Sequence, residues 1–185
     1  MPAVDSKRKD FVAYRTISPD RLRACDRVVS VRDIGEDGPR PEWHAVRMFD
    51  DRAIAFLGQV RFARLATVGR DGFPHNVPIW FDIEPVADGS HDLLFVSDRA
   101  AAKTRNALAN PRAGVTIGGE RTDAHGYLIR GTITVEDDPG QAVTHRMIDR
   151  YEAGTPRAAE LRDAWKDDDI VVLRLRPTSI VSVWA

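Results

Sequence analysis

Residues 94–112 read L-F-V-S-D-R-A-A-A-K-T-R-N-A-L-A-N-P-R, and the change of character inside this stretch decides how the chain around it is understood. Leu93 to Val96 form a short apolar run of strand character, and from Ser97 onward the residues are rich in Ala and Leu and read as a helix ending near Asn110-Pro111. A strand therefore feeds a basic helix. Ser97 or Asp98 is placed to cap the free N–H groups of the first turn, while Arg99, Lys103, Thr104 and Arg105 gather cationic and hydroxyl groups near that positive end. Such an arrangement suits a phosphate. A capped surface helix with solvated Lys and Arg would read the same way, and this stretch alone does not separate the two.

Upstream, Asp50-Asp51 cap a helix carrying Ile54 and Leu57 and ending near Gly58. Phe62, Arg64, Ala66 and Val68 then alternate with Ala63, Leu65 and Thr67, and the turn Gly69-Arg70-Asp71-Gly72 carries the Asp-Gly pair of a β-hairpin. The second arm is expected over residues 73–83. Within it Pro78 cannot donate to a ladder, so the strand is an edge or a bulge there, whether for edge protection or to leave backbone groups free for a ligand.

Downstream, residues 113–117 read as a buried strand closed by Gly118-Gly119, and residues 127–135 alternate as another, with Gly131 marking a bulge or a close approach. Asp138-Pro139 starts a helix that stops at Gly154, and Thr155-Pro156 starts the next, carrying Leu161 and Trp165. Residues 170–175 form a strand that Pro177 is expected to break, leaving residues 180–184 as a last short one. Hairpins and closely spaced strands with helices between them favour a mainly β, largely antiparallel barrel with helices packed outside; an open sheet with helices on one face is the alternative.

The chain has 185 residues, enough for one domain with an additional arm. Residues 1–49, charged and carrying the Gly/Pro-rich patch G-E-D-G-P-R-P, read as an N-terminal arm of unassigned role, with a short helix near Ser18-Pro19-Asp20 and a brief strand at residues 28–31; residues 50–185 form the domain proper. With a formal net charge of -1, no whole-chain electrostatic argument points to nucleic acid or an anionic membrane. The single Cys25 forms no intrachain disulfide, no apolar run approaches a membrane span, and the N-terminus lacks the apolar core of a signal peptide, so a cytoplasmic location is expected. The five histidines show neither a H-x-x-x-H pair nor a Cys cluster, and no metal site is expected. Neither a G-x-S-x-G elbow, a P-loop nor a G-x-G-x-x-G fingerprint is present.

The order of the pieces resembles the pyridoxamine 5'-phosphate oxidase-like superfamily of split β-barrels, including its flavin- and deazaflavin-dependent oxidoreductase branch. The resemblance is carried by A-R-L-A-T-V at residues 63–68, D-G-F-P-H-N-V-P-I-W at 71–80, the strand-to-helix unit at 94–112 and Y-L-I-R-G-T-I-T-V at 127–135. It implies a split β-barrel of FMN-binding type and a homodimer, with a flat tricyclic ring in a groove between subunits. Val77, Pro78 and Ile79 would offer backbone groups to the ring edge, Val96 and Ser97 would line the groove, and Lys103, with Thr104 near by, would hold the phosphate. Trp184 would border the cofactor from the other subunit. Members commonly carry an arginine one or two positions before the lysine; here those positions are Ala102 and Ala101, so Arg99 or Arg105 would substitute.

True pyridoxamine phosphate oxidases continue past the tryptophan into a tail whose Arg and His hold the substrate, so oxidation of vitamin B6 is not expected of a sequence ending at Ala185. The resemblance implies hydride transfer to or from a small organic substrate with coenzyme F420 (a deazaflavin) or FMN, the K-T-R-N segment leaning toward the deazaflavin. No side chain stands out as a general acid and the catalytic residues stay unassigned, with His75 and Tyr127 the candidates the sequence offers. The competing expectation is a non-catalytic split barrel that binds flavin, haem or another tetrapyrrole, with His75 as the histidine available to a haem iron.

Overall fold

The computed structural model describes residues 49–119, 123 and 125–182. Residues 1–48 of the N-terminal arm, with its expected helix and strand, and Trp184 lie outside the described residues. Asp50 caps helix α1 (Asp51–Leu57): its carboxylate accepts the Ala53 N–H at 2.7 Å, and Gly58 ends the helix. The hairpin follows as β1 (Ala63–Val68) and β2 (Pro74–Ile79), joined by a turn in which Gly72 takes φ +80, a conformation suited to glycine. The chain continues through β3 (Asp82–Pro85), β4 (His91–Asp98), α2 (Ala102–Ala109), β5 (Arg112–Gly118) and β6 (Gly126–Asp137). Helices α3 (Ala142–Glu152) and α4 (Pro156–Trp165) lead to β7 (Ile170–Ser182).

These strands form one antiparallel sheet in the order β2-β1-β5-β6-β7-β4-β3. The two edge strands, β2 and β3, are separated in sequence only by Trp80 and Phe81, so the sheet must curl until its edges meet at that corner. The result is a split β-barrel. Inward residues alternate along every strand, and Leu65, Phe81, Phe95, Val115, Ile117, Ile129, Leu173 and Leu175 fill the interior, with Phe56 and Leu57 of α1 joining the same core. Helix α3 lies outside, turning Thr144, Met147 and Ile148 inward, and Asp138 fixes its start by accepting the N–H groups of Val143 and Thr144, each at 2.9 Å.

Three expectations are corrected. The arm over residues 73–83 is not one strand: it bends at Trp80-Phe81 and supplies both edges of the sheet. The Tyr151 hydroxyl holds that bend, accepting the Phe81 N–H at 3.0 Å and donating to the Arg61 carbonyl at 2.5 Å. Pro177 does not break the last strand. Its missing N–H falls at a bulge opposite Gly131, where Arg130 pairs with Ser179 and Gly131 with Pro177; the extra residue, Thr178, shifts the alternation so that Ile180 meets Ile129. Finally, neither Ser97 nor Asp98 caps α2. Ala101 occupies the N-cap without a side-chain bond, and the Asp98 carboxylate accepts the Ala100 N–H instead.

Candidate functional site

The junction between β4 and α2 is built by two buried hydroxyls. Thr104 lies in the first turn of α2, wholly buried, with its Oγ1 2.8 Å from Ser97 Oγ and 2.8 Å from the Asp98 carbonyl. The Ser97 hydroxyl also reaches that carbonyl, at 3.1 Å. Both side chains therefore bond within the fold and fix the angle at which α2 leaves the strand. Near its middle α2 is tied to β1, where the Asn106 amide donates to Thr67 Oγ1 at 3.2 Å.

Lys103 sits beside this latch, half-buried, with no hydrogen-bond or ion-pair partner among the described residues. Burial pushes its ammonium below the ordinary lysine range, an effect that the nearby Asp98 charge offsets only in part. With Ala101 offering no side-chain cap, the first N–H groups of α2 also lack a side-chain acceptor. An under-solvated cation and an open helix start occur together. Such a pair fits the phosphate of a flavin-type cofactor.

The neighbouring arginines are placed differently. Arg99 is engaged at the surface by Asp169 at 2.8 Å and Asp137 at 2.6 Å, and these hydrogen bonds raise its pKa further. Arg105 donates to the Ala100 carbonyl and lines an open groove of about 810 Å³ between the hairpin turn and α2, with Arg70, Phe73, Pro74, His75 and Asn106. Within it, His75 Nδ1 is sealed from solvent and makes no hydrogen bond among the described residues. Val77 and Pro78 follow on the same edge strand, paired with Leu65 and Arg64 of β1 on one side only, and Ile79, paired with Ala63, ends the strand. Pro78 is exposed and Ile79 buried. Val96, on β4, is part-exposed and pairs with Val172. Tyr127 points into the barrel, edge-on to Phe56 at 5.3 Å, with its pKa raised by burial, and is not among the groove residues.

Sequence reasoning missed Trp80, Tyr151 and Trp165 as a group. Trp80 stacks on Tyr151 with ring centroids 4.7 Å apart and planes 9° apart, and Trp165 leans on it at 6.3 Å. The signal available was the W-F pair immediately after the β2 residues; the partners lie more than seventy residues away.

Seven antiparallel strands curled into a split β-barrel with helices packed outside define the fold class. The chain belongs to the pyridoxamine 5'-phosphate oxidase family, whose model matches residues 49–183. It is 33% identical over 69 residues to the 5a,11a-dehydrotetracycline/5a,11a-dehydrooxytetracycline reductase of Streptomyces rimosus, a segment covering 37% of this chain and 48%, about half, of that reductase. Among solved structures it is similar to an F420 reductase, with a TM-score of 0.53 and 26% identity, over 69% of this chain and 94% of the other. A conserved hypothetical protein of Mycobacterium tuberculosis shares the fold with a TM-score of 0.55 at 22% identity, over 72% of this chain and 84% of the other. No helix among the described residues is long and apolar enough to cross a membrane.

Proposed function

We propose that this protein is an oxidoreductase that uses coenzyme F420 or FMN to transfer hydride to or from a small conjugated organic substrate. The observation that carries the reading is Lys103, a half-buried ammonium without an internal partner in the first turn of an uncapped helix. Lys103 and the first N–H groups of α2 would hold the phosphate, with Ser97 and Thr104 setting their position from within the fold. Arg99 is committed to Asp137 and Asp169, so Arg105 is the arginine left to assist. Val77, Pro78 and Ile79 on the free edge of β2, together with Val96, would border the ring, which supplies the hydride chemistry when bound. That two similar proteins are named as reductases, one of them an F420 reductase, supports the same reading.

A homodimer completes it. The outward row Pro78, Arg64, Thr116, Leu128, Val181, read across β2, β1, β5, β6 and β7, offers an extended face for a second copy, and Val181 is 53% exposed. The test is titration of the purified protein with FMN and with F420, followed by absorbance and by sedimentation. Micromolar binding of one of them to a dimer, weakened at least tenfold by Lys103→Ala, is expected. Binding of neither cofactor, or a Soret band from haem in their place, rejects the proposal.

A further inference from the structure

At the end of β2 remote from the hairpin turn, a second groove of about 440 Å³ opens between the barrel corner and helices α3 and α4, lined by Val60, Phe62, Trp80, Tyr151, Leu161 and Trp165, with Glu152 and Arg157 at its rim. Its volume falls within the roughly 300–1,000 Å³ typical of small-molecule sites. Three features give it a definite chemistry. The first is the density of aromatic faces: Trp80 lies flat on Tyr151, Trp165 is inclined 60° to Trp80, and Phe62 stands 6.0 Å from Tyr151.

The second is rigidity. The Tyr151 hydroxyl is spent on the Phe81 N–H and the Arg61 carbonyl, so it offers a ligand no polar group, and the Trp80 ring stacked on it is held in place by the barrel corner. A preorganised wall loses little side-chain freedom when a ligand arrives. The third is charge. Arg157 and Glu152 pair with each other at 3.3 Å, so the rim carries no net charge, while Val60 and Phe62 stay 60% and 54% exposed beside it.

We propose that this groove binds a flat, uncharged, conjugated ring compound, and that such compounds are the substrate class of the oxidoreductase. Trp80 follows Ile79 directly, so the groove begins where the strand assigned to the ring edge ends, at the opposite end of β2 from the Arg105 groove. Flat π faces favour planar ligands over saturated ones of the same size, because stacked and edge-to-face contacts add to simple burial. Trp80 and Trp165 are then the specificity-determining residues. The assignment as substrate site rests on the hydride-transfer reading above, whereas ligand binding in the groove does not.

The experiment is calorimetric titration of the full chain, with and without saturating FMN or F420, using 2-naphthol and its saturated counterpart decahydro-2-naphthol as probes. The expected result is one-to-one binding of 2-naphthol, at least tenfold tighter than the saturated probe, and weakened about tenfold by Trp165→Leu and by Phe62→Ala. Both variants are expected to keep the parent's cofactor titration and thermal midpoint. Equal affinity for the two probes, no binding by the parent at millimolar concentration, or unchanged affinity in both variants overturns the proposal. So does a dimer that dissociates in Phe62→Ala, because the groove would then be covered by a second copy. Loss of cofactor binding by the parent rejects the hydride-transfer reading instead and leaves the 2-naphthol result to be judged separately.

Discussion

The hydroxyl oxygens of Thr104 and Ser97 lie 2.8 Å apart, joining the first turn of α2 to the last inward residue of β4. Both also reach the Asp98 carbonyl, so three polar atoms in a buried corner satisfy one another. Thr104→Val keeps the shape and removes the shared partner. It is expected to lower stability by about 1–3 kcal/mol, the range for a buried polar group left short of a hydrogen bond. A shift of the urea midpoint at unchanged slope would show this, and Thr104→Ser should retain most of the stability.

Lys103 separates an anion site from a solvated surface lysine. Its depressed pKa means that the folded chain holds the ammonium less favourably than the unfolded chain does. Between the lowered folded pKa and the ordinary value of 10.5 the unfolded state binds more protons, so this residue makes stability rise with pH through that window. Lys103→Met is expected to raise the thermal stability of the cofactor-free protein slightly, by less than about 1 kcal/mol because the group is only half-buried. The same change is expected to weaken cofactor binding at least tenfold. A variant with unaltered cofactor affinity would make Lys103 an ordinary surface residue.

What the sequence shows and what it hides divides by distance along the chain. The Asp50 cap, the Asp-Gly turn, the edge position of Pro78 and the bulge at Gly131 are all local choices of backbone and cap, and they read directly. The corner at Trp80-Phe81 does not, because it is held by Tyr151 from another helix. Pro177 looked like a strand end because its missing N–H is a local fact, whereas the bulge that tolerates it depends on Gly131 across the sheet. The position of Lys103 in the first turn of a helix that follows a strand is likewise a local feature. That Arg99 is drawn to Asp137 and Asp169, 38 and 70 residues further on, is not.

Gly131 makes the cross-sheet dependence measurable. A Cβ there would stand 2.3 Å from the Arg176 carbonyl oxygen and 2.8 Å from Leu175 Cδ2, and the first of these is backbone held by the β6–β7 ladder. Gly131→Ala is therefore expected to destabilise by more than about 3 kcal/mol, in the upper range for overpacking, or to prevent folding. At Gly114, on the neighbouring strand, nothing lies within 4 Å of an added Cβ, so Gly114→Ala serves as the control and is expected to keep the parent's thermal midpoint within a few degrees.

Tyr151 is where the barrel corner, the aromatic groove and the outer helix meet, and its hydroxyl can be tested alone. Tyr151→Phe preserves the ring that stacks on Trp80 but strips the Phe81 N–H and the Arg61 carbonyl of their shared partner. A loss of about 1–3 kcal/mol is expected. Burial raises the Tyr151 pKa above the ordinary 10.0, although its hydrogen bond to Phe81 and the nearby Arg150 charge pull the other way. The folded state therefore keeps the proton at pH values where the unfolded state has lost it. The stability from this group is fully present below about pH 10 and declines as pH rises through the folded pKa. Urea titrations from pH 8 to above pH 10 should show the parent losing stability more steeply than Tyr151→Phe, so that the two curves converge. Parallel curves over that range would mean that the Tyr151 hydroxyl does not hold the corner in solution.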